Sequence, residues 1–166
     1  MTNFDFLKKD EKFSSFADIA ITAEKLYQVD TASCIFNIRR AAEFAVKWMY
    51  SVDGSLVMPY QDTFVTLINT VEFKDIVGND IFRRIDFIRL VGNSSAHSTR
   101  NIKPEQAELA LENLFYFLDF VAYCYADEYV ERAYDPGLLK EKPVEPIIPV
   151  DIELKLETLM KENVFL

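Results

Sequence analysis

The stretch "ASCIFNIRRAAEFAVKWMY", residues 32–50, decides the fold class of this chain. Its apolar residues recur every three to four positions, which is the spacing of one face of an α-helix. Asp30 or Thr31 can cap its amino end, and Glu43 precedes Lys47 by four residues, in the orientation that favours a surface ion pair. The pattern predicts a long amphipathic helix whose inward face consists of Ile35, Ile38, Ala42, Ala45 and Met49.

The same helical spacing recurs on both sides of this stretch. Residues 14–29 predict a helix capped by Ser14 or Ser15. Residues 61–78 predict two short helices, the second ending at Gly78, because glycine tolerates the left-handed conformation at a helix terminus.

The second half of the chain is also helical by pattern. Residues 81–91 predict a helix that stops at Gly92, and Pro104 suits the first position of another helix. That last helix can continue for some seven turns over residues 104–132. We therefore expect an all-α bundle of about five or six helices, with the longest near its centre.

The composition changes at the carboxyl end. Residues 135–150 contain four prolines and predict a strap or linker, and residues 151–166 predict a short amphipathic helix. Its apolar side holds Ile152, Leu156, Leu159 and Met160. We expect a bundle domain over 1–134, the linker over 135–150, and a helix over 151–166 that leads toward a downstream domain.

Composition excludes several protein classes. Half of the residues are apolar and 14% are aromatic, so the chain is not intrinsically disordered. Cys34 and Cys124 are too few for a disulfide framework and lack metal-ligand spacing, which predicts reduced core thiols in a cytoplasmic protein. The longest apolar stretch, residues 114–126, contains Asp119 and is shorter than the about 20 residues that cross a bilayer. We expect no membrane association, no metal site and no cofactor.

Charge is unevenly distributed along the chain. The formal net charge is −9, and residues 104–166 hold fourteen acidic against five basic side chains, a net of −9 by themselves. A contact with nucleic acid would therefore have to use the middle of the chain, which also includes Arg39 and Arg40. Five residues there form a candidate phosphate-binding patch, although pairing with Asp80 and Asp86 on a solvated helix face explains them equally well: Arg83, Arg84, Arg89, Arg100 and Lys103.

His97 is the only histidine and the only conventional catalytic base. Ser94, Ser95 and Ser98 lie close in sequence, but serines in a turn commonly cap backbone amides. No glycine-rich phosphate loop and no dinucleotide fingerprint is present.

Taken together, "IRRAAEFAVKWMY" and the later "FIRLVGNSSAH" resemble an uncharacterised helical domain found at the amino terminus of the R (motor) subunits of type I restriction–modification enzymes. The resemblance covers nearly the whole chain, including "NFDFL", "MPYQD", "LENLFYFLDFVAYCY" and "PVEPIIPVDIELKLETLMKEN". It implies a bacterial parent protein that translocates and cleaves DNA with ATP, and partners among the other subunits of that complex, with DNA as a further partner.

This family is related to the HEPN group of helical domains, many of which are RNases. Their motif joins an arginine and a histidine that act together on the scissile phosphate. Asn93 and His97 match the motif, but Gly92 occupies the arginine position. We therefore expect no catalytic site in this domain, and a structural role for Gly92, Asn93 and His97, with the imidazole bracing a helix break.

Two alternatives stay open. In one, His97 with Arg89 or Arg100 forms an RNase site in a homodimer. In the other, the aromatic-rich helix exposes an apolar strip for self-association.

Overall fold

The computed structural model of the chain describes residues 1–97, 102–140 and 158–161, with side chains at 94–97 excepted. It confirms the all-α class, since the described residues contain no strand. Their α-helices are α1 (Ser14–Leu26), α2 (Thr31–Val52), α3 (Phe64–Ile68), α4 (Val71–His97) and α5 (Pro104–Tyr125). Short 3-10 helices lie at Asp5–Lys9, Glu11–Phe13 and Pro136–Lys140.

Helix α2 forms as its sequence predicts. The side chain of Asp30 caps it by accepting from the amide of Ala32 at 3.3 Å, and all five predicted inward residues are buried. Glu43 and Lys47 pair at 3.3 Å. The serine cap predicted for α1 is wrong. The 3-10 turn Glu11–Phe13 runs directly into α1, so its N-cap is Phe13.

Helix α2 is the centre of the bundle. It packs against α1, α4 and α5, while α4 packs against α5 and α3. Trp48 joins three elements, because its ring lies 5.3 Å from Phe13, 5.8 Å from Phe16 and 5.3 Å from Tyr125 between centroids. The core therefore extends along both sides of α2.

The predicted break at Gly78 is present, but the predicted stop at Gly92 is not. Gly78 interrupts α4 with φ 76° and ψ 169°, a conformation that is essentially restricted to glycine. Gly92 lies inside α4, which continues to His97, and its φ is not positive. Sequence reasoning assigned both glycines the same conformational role, whereas Gly92 is needed for space rather than for a turn, as described below.

Helix α5 begins at Pro104 as predicted but ends at Tyr125, about two turns before the predicted end at residue 132. Continuation would add acidic residues at the carboxyl end of the helix, where the helix dipole opposes negative charge. Lys12 instead occupies this end: its Nζ donates to the carbonyl of Tyr125 at 2.9 Å and pairs with Asp127 at 2.8 Å.

After α5 the chain folds back on the bundle. Arg132 donates to Asp119 at 2.7 Å, and Tyr129 donates to the same carboxylate at 3.0 Å. Asn3 and Asp135 then exchange two hydrogen bonds, of 3.0 and 2.8 Å. The packed chain extends to Pro136–Lys140, where Leu139 is buried.

Some expectations fall outside the described residues. These are Arg100, the side chains of Ser94, Ser95 and His97, all of Ser98, most of the linker, and the terminal helix except residues 158–161.

Of the two cysteines, Cys34 is buried as predicted, and burial raises the pKa of its thiol to about 12. The prediction for Cys124 is wrong, since it is exposed on the last turn of α5. Over the described parts of the chain, no helix has the length and apolar character to cross a bilayer.

Candidate functional site

The contact between Gly92 and Arg39 brings α4 close to α2. A Cβ atom placed on Gly92 would lie 2.6 Å from Cδ of Arg39, 3.1 Å from its Cβ and 3.2 Å from its Cγ. Real Cβ atoms do not approach neighbours this closely, so any larger residue would displace the arginine stem. Gly92 is therefore a notch in α4 that the side chain of Arg39 fills.

The guanidinium of Arg39 is fixed by the residue next to that notch. Its Nη1 donates to Oδ1 of Asn93, and the bond is partly buried. The acceptor is a neutral amide, and among the described side chains Arg39 forms no ion pair with a carboxylate. The positive charge of Arg39 is thus held in place, and no carboxylate in the described part of the chain neutralises it.

This hydrogen bond also fixes the amide of Asn93. Because Oδ1 accepts from Arg39, the Nδ2 group is the remaining donor on that side chain. The guanidinium keeps further N–H donors beyond the one that binds Asn93. Arg39 and Asn93 together therefore present a cation and a neutral donor from adjacent positions, an arrangement suited to an anion's oxygen atoms.

Position 97 lies on the same side of α4 as Asn93. The two residues are four apart in a continuous helix, so they share a face one turn apart. The predicted helix break between Gly92 and His97 is therefore wrong, because this segment is helical throughout. The predicted brace formed by the imidazole concerns a side chain outside the described set.

Arg89 and Arg84 are compensated by nearby groups. Arg89 binds Asp86 with two nitrogens, at 3.0 and 2.8 Å, and its side chain is only 18% exposed. Arg84 pairs with Asp80 at 3.2 Å and donates to Asn113 at 3.0 Å. Its guanidinium also lies 4.3 Å from the ring centroid of Tyr116 on α5. Arg84 therefore joins α4 to α5.

Two further residues of the predicted phosphate-binding patch lie at exposed positions. Arg83 is exposed on α4 and has no ion pair with a described carboxylate, and Lys103 is exposed at the N-cap of α5. The structure brings Arg39 to Asn93 and leaves Arg83, Arg84 and Arg89 in separate environments. The sequence analysis included Arg39 in the basic middle segment. It did not predict the contact with Asn93, because the two residues are 54 positions apart and no local pattern links them.

A third surface is the outer face of α2, formed by Phe36, Arg40 and Phe44. These residues are four positions apart, and the phenylalanines are 58% and 41% exposed. The guanidinium carbon of Arg40 lies 5.8 Å from each ring centroid. Exposed aromatic rings around an arginine are typical of interface residues.

A buried polar cluster joins the amino-terminal residues to α1. The carboxylate of Glu24 accepts from the amide of Asn3 at 2.9 Å and from its Nδ2 at 2.7 Å. Burial raises the pKa of Glu24, although the two bonds from Asn3 oppose that shift. Within the described residues, no group of three or more His, Cys, Asp or Glu side chains could hold a metal ion.

Comparison with known protein families gives a match over most of the chain. A family model described as a domain of unknown function (DUF4145) matches residues 22–142, which include α2, α4, α5 and the Arg39–Asn93 contact. No curated protein and no solved structure matches the chain.

Proposed function

Because the chain belongs to the DUF4145 family, whose description assigns no function, we propose a function from the site at the α2–α4 junction. The chain is a non-catalytic accessory domain of a type I restriction R subunit, and it guides DNA by holding a backbone phosphate at Arg39 and Asn93. ATP-dependent translocation and DNA cleavage would belong to other parts of such a protein, and its other subunits would be neighbours of this domain.

One observation supports this proposal above the others. Arg39 is positioned by its packed stem and by an amide carbonyl, and its charge is not neutralised by a described carboxylate. Arginine binds phosphate with two parallel N–H donors, and positioning before binding reduces the entropy lost on association. Arg84 and Arg89 lack this property, since each already faces an aspartate.

The charge balance favours guiding over tight binding. A net charge of −9 repels a phosphate backbone at long range, so one half-buried cation gives weak, salt-sensitive contact. Weak contact suits a domain along which DNA passes while another part of the protein moves it.

Fluorescence anisotropy with a labelled DNA duplex at low and moderate salt tests the proposal. Replacing Arg39 by Gln removes the charge and should weaken binding at least about tenfold, because a charge-assisted hydrogen bond contributes about 1.5–3 kcal/mol. It should also reduce the slope of log K against log salt by about one. Arg83→Gln is the matched control, since it removes an exposed arginine from α4. Equal binding by the parent protein and Arg39→Gln would refute the proposal.

A second candidate function is a metal-independent RNase centred on His97. The observation that favours it is the position of Arg39. In this sequence Gly92 occupies the position of the motif arginine, and the side chain of Arg39 lies against Gly92 while its guanidinium binds Asn93. A fixed cation beside a scissile phosphate stabilises charge that develops in the transition state. Position 97, one helical turn further, would supply the base.

Labelled single-stranded RNA separates the two functions. Cleavage by the parent protein that is lost in both His97→Ala and Arg39→Gln would replace the non-catalytic proposal with the RNase. DNA binding that depends on Arg39, without RNA cleavage, would support the accessory domain. Equal RNA cleavage by the parent protein and His97→Ala would indicate a contaminating nuclease and remove the second candidate.

A further inference from the structure

The outer face of α2 combines apolar area with positive charge and points away from the core. We propose that this face binds the chain's own carboxyl-terminal segment, residues 151–166, as an acidic amphipathic helix. This inference goes beyond the proposed phosphate site, because it uses Arg40 and the exposed phenylalanines rather than Arg39 and Asn93.

The chain leaves the described bundle near the amino end of α2. Nε2 of Gln28 donates to the carbonyl of Leu139 at 2.5 Å, so the end of Pro136–Lys140 lies beside the loop that precedes α2. Phe36 and Phe44 lie about 8 and 20 Å along α2 from its first residue, at 1.5 Å per residue. The ten residues 141–150 can span about 31 Å in an extended proline-rich conformation. The terminal segment can therefore reach the whole outer face of α2.

The terminal segment has the spacing that the face requires. Ile152, Leu156 and Met160 are four residues apart in sequence, as are the three residues of the outer face. Residues 158–161 are helical, and there Leu159 and Met160 are 56% and 68% exposed. A short helix with an uncovered apolar stripe needs a surface on which to bury it.

The charges of the two elements are complementary. Residues 31–52 contain three basic and one acidic side chain, a net of +2, and residues 151–166 contain two basic and four acidic ones, a net of −2. If residues 151–161 form one helix, as their sequence predicts, Glu153 would lie beside the apolar row of the segment. A carboxylate there would meet Arg40 between the two aromatic rings, where partial exclusion of water strengthens an ion pair.

Hydrogen–deuterium exchange of the full chain, followed by mass spectrometry, tests this inference. In the parent protein, amides of residues 152–161 should exchange at least about tenfold more slowly than in an unstructured peptide. Phe36→Asp and Arg40→Glu should each remove this protection. Tyr60→Asp and Arg83→Glu are the matched controls, because they make the same kinds of change at exposed positions outside the face; they should leave the protection intact.

A charge swap adds a positive test. Replacing Glu153 and Glu157 by Lys in the Arg40→Glu background should restore much of the lost protection, whereas the same replacements in the parent chain should abolish it. Circular dichroism confirms that each variant folds, as expected for substitutions at exposed sites.

Three results would overturn the proposal. One is the absence of protection in the parent chain, and another is equal protection in the parent chain and Phe36→Asp. The third is protection that disappears on hundredfold dilution, which would identify a second copy of the chain as the occupant of the face.

Discussion

Arg39 of α2 and Asn93 of α4 are joined by a hydrogen bond across 54 residues of sequence, beside the notch at Gly92. The stem of Arg39 occupies the space that a side chain at position 92 would need. The position of the guanidinium therefore depends on the absence of a side chain at Gly92. This relationship places a positive charge beside the sequence motif that lacks an arginine of its own.

The notch predicts coupling between positions 92 and 39. Gly92→Ala should lower the free energy of unfolding by about 1–3 kcal/mol through overpacking. The higher helix propensity of alanine should offset about 1 kcal/mol of this loss. In an Arg39→Ala background the contacts from Cδ and Cγ are gone and only the 3.1 Å contact from Cβ remains, so the same substitution should cost much less or become neutral. Urea denaturation of the four proteins should give a coupling energy of at least about 1 kcal/mol. The same cost in both backgrounds would show that Arg39 does not fill the notch.

Arg84 is expected to stabilise the bundle rather than to bind nucleic acid. Arg84→Ala removes the donor to Asn113, which is 8% exposed, and the contact with Tyr116, at an expected cost of about 1–3 kcal/mol. Arg83→Ala, at the adjacent exposed position, should change stability by less than about 0.5 kcal/mol. Thermal denaturation of both variants provides the comparison. A larger loss in Arg83→Ala would reverse the assignment of these two residues.

Gly78 and Gly54 should respond in opposite directions to alanine. Gly78 has φ 76°, and an alanine forced into this conformation costs about 1–3 kcal/mol. Gly54 does not have a positive φ, and a Cβ atom at this position would have open space within 4 Å, so alanine there should be neutral or stabilise by up to about 1 kcal/mol. Urea midpoints distinguish the two outcomes. An unchanged midpoint for Gly78→Ala would contradict the expected strain and would mean that the backbone of α4 can adopt a negative φ at this residue.

Glu24 should make stability fall as the pH rises. Burial raises its folded-state pKa above the ordinary value of 4.5, so between these two values the folded protein binds more protons than the unfolded chain. The contribution of Glu24 is therefore greatest at acidic pH and is lost as the pH rises through its folded pKa. Glu24→Gln cannot titrate, so the difference in unfolding free energy between the parent protein and this variant should decline from about pH 4 upward and then level off. A difference that stays constant from pH 4 to 7 would contradict the raised pKa.

Local pattern predicted most helix positions. The spacing of Ile35, Ile38 and Met49 identified the buried face of α2, and Asp30 and Pro104 marked the starts of α2 and α5. These features depend on residues within a few turns of one another, so a single sequence contains them. The end of α5 did not follow from such a pattern, because Lys12, from the other end of the chain, binds the carbonyl of Tyr125.

The sequence by itself determined that the chain forms amphipathic helices and which side of most of them faces inward, because a 3.6-residue period and the capping residues are local properties. Only the tertiary structure decided what Gly92 is for and which arginine lies beside Asn93. Both depend on how closely α2 and α4 approach, and that distance is set by side chains packing across the interface between two helices far apart in sequence. The same packing turns Arg84 toward Asn113 and Tyr116 of α5, while the stem of Arg39 fills the notch in α4.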